Sequence, residues 1–168
     1  APAKAGLAQD LMDGQHVLLM RHADAPGYGD PAGYVIGQCA TQRNLGDAGK
    51  KQAQAIGVWL GQQGIASAQV FSSPWCRCLD TAQLLNKGAV KTEASLGSFF
   101  DNMALDKKQT KALESFIQNE LAKAAKRRAV IAKIAASIGI SGGASGNSAA
   151  PCIKSRTRDN RAPNLPPG

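Results

Sequence analysis

The run His16-Val17-Leu18-Leu19-Met20 delivers Arg21-His22 and then breaks at Ala23-Asp24-Ala25-Pro26-Gly27. A short apolar run bounded by Pro and Gly reads as a buried strand. Ala68 to Phe71 repeats the pattern and ends at the turn Ser72-Ser73-Pro74. Between the two, Gln52, Ala53, Ile56 and Leu60 mark a helix, expected over 47–63 after a long loop over 23–46. Further elements are expected at 75–86 (helix), 89–93 (short strand), 107–127 (helix) and 129–132 (strand). Strands alternating with helices specify a parallel sheet covered on both faces. The expected fold class is therefore α/β, three layers α/β/α around a mostly parallel central sheet. At 168 residues the default is one domain. With only eight aromatic residues the core must be aliphatic: Val17, Leu18, Leu19, Ile56, Leu60, Val70, Leu84, Leu85, Leu113 and Ile117. No apolar run of 18 residues or more exists, so no membrane span is expected.

Open α/β sheets bind ligands in the crevice beyond the carboxyl ends of their strands. Arg21 and His22 fall at that end of the first strand. A nucleophilic His beside an Arg suits phosphoryl transfer through a phosphohistidine. In Phe71-Ser72-Ser73-Pro74-Trp75-Cys76-Arg77-Cys78-Leu79-Asp80-Thr81-Ala82, Arg77 falls in the first turn of a helix, where backbone N–H groups and the helix dipole already favour an anion. A third segment, Thr41-Gln42-Arg43-Asn44-Leu45-Gly46-Asp47-Ala48-Gly49, precedes the first long helix. Arg43 and Asn44 there either contact phosphate or cap the helix, Asn being a good N-cap.

Together these segments resemble the histidine phosphatase superfamily, the phosphoglycerate mutase-like group. Arg21-His22-Ala23 matches the family's Arg-His-Gly/Ala motif. Ser73 to Ala82 matches its Ser-x-x-x-Arg-Ala-x-x-Thr-Ala motif, with Cys78 in place of the first Ala. Leu45, Gly49, Gln52 and Ala53 match the start of its first helix. The resemblance spans roughly residues 16 to 102. It implies a phosphoglycerate mutase-like fold and phosphomonoester hydrolysis through a phosphohistidine, with His22 as nucleophile, Arg21 and Arg77 as the phosphate clamp, and no metal or organic cofactor. The implied partner is a small phosphorylated substrate or inorganic phosphate. The general acid, which must protonate the leaving oxygen, has three candidates: Asp24, Glu93 and Asp101.

The departure from the family is a missing second histidine on a late strand. The chain has two histidines, His16 and His22. Six extended residues put His16 about 20 Å away, at the wrong end of the strand. Ala132-Lys133-Ile134 stands where the family shows Thr-His. Composition changes at the same place. Residues 1–103 carry eight basic and eight acidic residues, and 104–168 carry twelve and four, so the whole net charge of +8 lies in the second part. The expected organisation is a phosphatase-like domain over 1–138, its C-terminal part incomplete, and a loosely ordered Gly/Ser/Pro-rich basic tail over 139–168. Everything after about Ile131 is expected to be a divergent, truncated or out-of-frame end. Two rival functions follow: a phosphate-binding pseudoenzyme, and a binder of nucleic acid or an acidic partner through Lys123, Lys126, Arg127, Arg128, Lys154, Arg156, Arg158 and Arg161. No aromatic residue follows Phe116, so base stacking gives the second rival no support and nucleic acid is not the expected partner.

The cysteines bear on compartment. A disulfide from Cys39 to Cys76 or Cys78 would pin the loop beside the sheet end and imply an oxidising compartment. Four reduced thiols in the cytoplasm is the alternative. The Ala1-Pro2-Ala3 start fits a mature form after signal removal, and equally a trimmed chain. The expected location is periplasmic or secreted, with cytoplasmic as the alternative. No zinc site is expected, because Cys76-x-Cys78 is tighter than zinc spacing.

Overall fold

The computed structural model describes residues 6–99, 102–126, 132–137 and 154–155, with 125–126 and the last two segments described by backbone alone. The elements are α1 (Leu7–Met12), β1 (Leu18–Arg21), α2 (Asp47–Gln62), β2 (Ala68–Ser72), α3 (Cys76–Leu84), β3 (Val90–Thr92), α4 (Asp106–Lys126), β4 (Ala132–Ser137) and β5 (Lys154–Ser155). The sheet order is β3-β2-β4-β1-β5. β4 lies between β1 and β2, parallel to both, and β3 is parallel to β2. Only β5, at the edge, runs antiparallel, against β1.

The register carries the functional consequence. Arg21 pairs with Ser137, and Ser72 pairs with both Ala136 and Thr92. All four parallel strands therefore end along one edge, with the chain leaving β1 at His22 and β2 at Ser73. That edge is where an α/β sheet of this kind binds ligands.

Period-2 alternation sorts the strand side chains onto two faces. Leu18 and Met20 of β1 join Ala68 and Val70 of β2 in a core with Leu11, Leu60, Ile65, Ala82 and Leu85. This face is covered by α2 and α3, with α1 contributing Leu11. Phe71, one residue on from Val70, points to the other face and meets Phe116 of α4 edge-on, with ring centroids 5.0 Å apart. Helices thus cover both faces, as three layers require. Of the expected core, Leu18, Leu60, Val70 and Leu85 are fully enclosed, and Val17, Leu19, Ile56, Leu84, Leu113 and Ile117 are half-buried. The close approach of α2 to α3 depends on Gly57, where a Cβ would lie 2.3 Å from the Leu85 carbonyl oxygen. No described helix is long and apolar enough to cross a membrane.

Three differences from the sequence reading have local causes. Helix α1 was not expected, because six residues are too few to show helical periodicity. It is held by burial of Leu11 rather than by propensity. The late strand covers Ala132–Ser137, continuing past the expected end at 132, and residues 129–131 lie outside the described ones. Asn44 does not cap α2. Gly46 is the N-cap, and the Asn44 side chain braces the preceding loop. Of the expected loose tail, only Lys154–Ser155 are described, as a strand; the rest, with its basic residues, lies outside the described residues.

Candidate active site

His22 follows β1 by one residue and is 8% exposed. Its Nδ1 lies 2.6 Å from the Ala23 carbonyl oxygen. A carbonyl only accepts, so Nδ1 carries the ring proton and Nε2 keeps its lone pair. Nε2 is buried and, among the described residues, has no hydrogen-bond partner. Burial lowers the His22 pKa from 6.5 to about 4, against the Ala23 hydrogen bond, with help from the charges of Arg21, Arg77 and Arg43. The ring is therefore neutral at pH 7, with Nε2 as its nucleophilic atom. Arg21, the last residue of β1, is exposed beside it.

The turn after His22 is held by residues from two other motifs. Ala23 N–H donates to Thr81 Oγ1 at 3.0 Å, and that hydroxyl donates to the Arg77 carbonyl at 2.7 Å. Asp24 N–H donates to Gln52 Oε1 at 2.8 Å. Gly49, on the first turn of α2, lies against the same turn, where a Cβ would sit 1.9 Å from the Asp24 carbonyl oxygen. Thr81, Gln52 and Gly49 were recognised in the sequence as motif positions, and each fixes the backbone next to the nucleophile.

Arg77 is 3% exposed in the first turn of α3. Its guanidinium forms a two-pronged pair with Asp30: Nη1 to Oδ1 at 2.7 Å and Nη2 to Oδ2 at 3.0 Å. The Asp30 carboxylate is 5% exposed and also accepts from the Arg43 backbone N–H at 2.9 Å and from Trp75 Nε1–H at 3.2 Å. Burial works to raise the Asp30 pKa, but the Arg77 hydrogen bonds, then those of Arg43 and Trp75, outweigh it and hold the carboxyl below the usual range. Arg77 Nε, like His22 Nε2, is buried without a partner among the described residues. Asp30 and Trp75 were missed as site residues. Asp30 sits 47 residues before Arg77 in a loop without periodicity, so spacing carries no sign of their contact.

The other expected residues have different partners. Arg43, read from sequence as a phosphate contact or a cap, donates from its guanidinium to the carbonyls of Gly29 at 2.8 Å, Gly27 at 3.2 Å and Ala25. Asn44 Nδ2 donates to the carbonyls of Cys39 at 2.7 Å and Gln42 at 3.0 Å. Both side chains brace the loop, because a turn-rich segment leaves carbonyls that must find donors. The Glu93 carboxylate accepts from Ser95 N–H at 2.9 Å and Ser95 Oγ–H at 2.7 Å, capping a short 3-10 turn. Asp24 is exposed, two residues past the nucleophile. Asp101 lies outside the described residues. Cys39 and Cys76 are joined by a disulfide that ties the loop to the start of α3. Cys78 is a buried free thiol whose pKa burial pushes up to about 11. His16 bonds Asp13 at 2.8 Å before β1 begins, at the far end of that strand from His22.

Comparison with known proteins fits this arrangement. No curated protein matches the chain. Among solved structures, the protein histidine phosphatase SixA complexed with tungstate is 18% identical with a TM-score of 0.50, covering 73% of this chain and 69% of that one. The mycobacterial glucosyl-3-phosphoglycerate phosphatase complexed with VO3 is 14% identical with a TM-score of 0.55, covering 74% and 75%. A protein described as mycobacterial hydrolase 1 is also 14% identical with a TM-score of 0.55, covering 74% and 76%. At such identities these likenesses establish the fold. The family model of the histidine phosphatase superfamily, branch 1, matches residues 17–136, and the chain belongs to that superfamily.

Proposed function

We propose that this protein hydrolyses small phosphomonoesters through a phosphohistidine on His22. The observation that carries the reading is the state of His22: neutral, buried, its Nδ1–H on the Ala23 carbonyl and its Nε2 lone pair without a partner. Nε2 attacks phosphorus in line, a P–N bond forms, and the P–O bond to the alcohol breaks. Arg21 and Arg77 offset the charge on the phosphoryl oxygens, since positioning and electrostatics supply most of the catalysis in phosphoryl transfer. Water then attacks phosphorus, passing a proton to the carboxylate that protonated the alcohol, and the P–N bond breaks with its electron pair on Nε2. Asp24, exposed two residues past His22, is the carboxyl assigned here to protonate the leaving oxygen.

The test is hydrolysis of p-nitrophenyl phosphate by the wild type and by His22→Ala. Its nitrophenolate leaves without needing a proton, so the assay reads the His22 step whatever the acid. Activity abolished by the substitution supports the reading, and equal rates refute it.

A second reading, phosphate binding without turnover, is favoured by the chain's having His16 as its only other histidine, at the far end of β1. Phosphate binding with no hydrolysis would select it. The Cys39–Cys76 disulfide supports a periplasmic or secreted location.

A further inference from the structure

Among the described residues, the buried side-chain atoms without a hydrogen-bond partner include His22 Nε2 and Arg77 Nε, both in side chains more than nine-tenths buried. Buried N–H groups without partners are rare and call for a cause. For Arg77 the cause lies in how the rest of its fork is spent. Asp30 takes Nη1 and Nη2, and Nη1 also donates to the Arg43 carbonyl at 3.2 Å. Three of the five guanidinium donors are spent, and Nε–H and the second Nη2 hydrogen, which lie on the same side of the guanidinium, are left over.

We propose that Asp30 is the positioning residue of the phosphate clamp: by holding one hydrogen of each Nη group of Arg77 it fixes the guanidinium plane and leaves Nε–H, with the second Nη2 hydrogen beside it, to donate to a phosphoryl oxygen. This rests on the phosphatase reading of the site and adds to it a residue outside the three motifs. The rival account makes Asp30 an internal anion that fills the clamp and must leave before phosphate binds. Three observations decide against it. The carboxylate takes four hydrogen bonds, two from Arg77 and one each from the Trp75 indole and the Arg43 backbone N–H. The loop carrying it is tied down by the Cys39–Cys76 bond and by the Arg43 guanidinium on the Gly27 and Gly29 carbonyls. And with Asp30 in place, the clamp still has an unpaired donor. Asp30 is thus framework, and the vacancy it leaves at Nε is the ligand's.

Asp30→Asn removes the charge and gives one prong an N–H that cannot accept, so the Arg77 fork loses its two-pronged partner. Calorimetric titration with inorganic phosphate is the first readout. The expected result is affinity weakened about ten- to a hundredfold, the scale of loss when a binding group is misplaced by an ångström, with far-UV circular dichroism unchanged. Affinity unchanged or tighter in the variant overturns the proposal, and tighter binding would make Asp30 a competitor. A wild type that binds no phosphate overturns it too.

Should the variant fail to fold, the wild type alone decides. The Arg77 Nε–H resonance, followed by ¹⁵N–¹H NMR during phosphate titration, is expected to shift. Saturation with phosphate without such a shift overturns the proposal. Failure of the hydrolase reading looks different: no turnover of p-nitrophenyl phosphate, with Asp30-dependent phosphate binding intact.

Discussion

Cutting the Cys39–Cys76 bond should cost this domain a large fraction of its stability. The disulfide spans a sequence separation of 37 residues. In the chain-entropy account, closing a loop of that length in the unfolded state stabilises the native state by about 4 kcal/mol at 25 °C. The native state has little to gain in return on reduction. Gln42 Oε1 still accepts from Cys76 N–H at 3.0 Å, and Arg43 and Asn44 still brace the loop, so it stays docked while the unfolded ensemble gains its freedom. For a chain of this size, the loss corresponds to a fall in melting temperature of about 8–16 °C. The assay is urea denaturation of the oxidised protein, of the protein in a phosphine reductant, and of the double variant Cys39→Ala/Cys76→Ala. Reduced and double-variant proteins should share a midpoint well below the oxidised one. Identical midpoints for all three would refute the entropic reasoning and show that the bond contributes nothing beyond the contacts around it.

Stability should also fall on acidification because of His22. Its unfolded pKa is 6.5 and its folded pKa about 4, so between those values the unfolded state binds more protons. The contribution is complete above pH 6.5 and is lost as pH falls toward 4, about 3 kcal/mol in all. It reads as the difference between wild type and His22→Asn in denaturation at pH 7 and pH 4.5; parallel curves would contradict it. Gly49→Ala places a Cβ 1.9 Å from the Asp24 carbonyl oxygen, and backbone must move. Phosphatase activity should drop at least tenfold with a loss of about 1–3 kcal/mol, and a silent substitution would show that the turn after His22 is not pinned there. Thr81→Val leaves the Ala23 N–H buried without an acceptor, at a cost of about 1–3 kcal/mol by urea denaturation.

β1 and β2 were legible because they announce themselves locally: each is a short apolar run stopped by a Pro-, Gly- or Ser-containing turn, and both stops lie at the same edge. Helices α2, α3 and α4 were legible for the same reason, within one or two residues at most of their ends. The roles of Arg21, His22 and Arg77 came from motif spacing, which reports shared ancestry and not geometry. What spacing could not report was contact across the fold. The Asp30–Arg77 fork, the Trp75 indole on Asp30 and the Thr81 hydroxyl on Ala23 join residues 45 to 58 positions apart. Nor could spacing show that the Arg43 guanidinium donates to three carbonyls of its own loop. Asn44 misled because a good capping residue near a helix start need not be the cap.

The most direct test is to trap the intermediate. The protein is mixed with p-nitrophenyl phosphate, quenched in base where phosphohistidine survives, reduced, and digested with trypsin. Cleavage after Arg21 and Arg43 releases residues 22–43, in which His22 is the single histidine. The account predicts an acid-labile phosphoryl group on that peptide, absent from His22→Ala. Turnover without it, or a phosphoryl group carried elsewhere, would contradict the assignment of His22 as nucleophile.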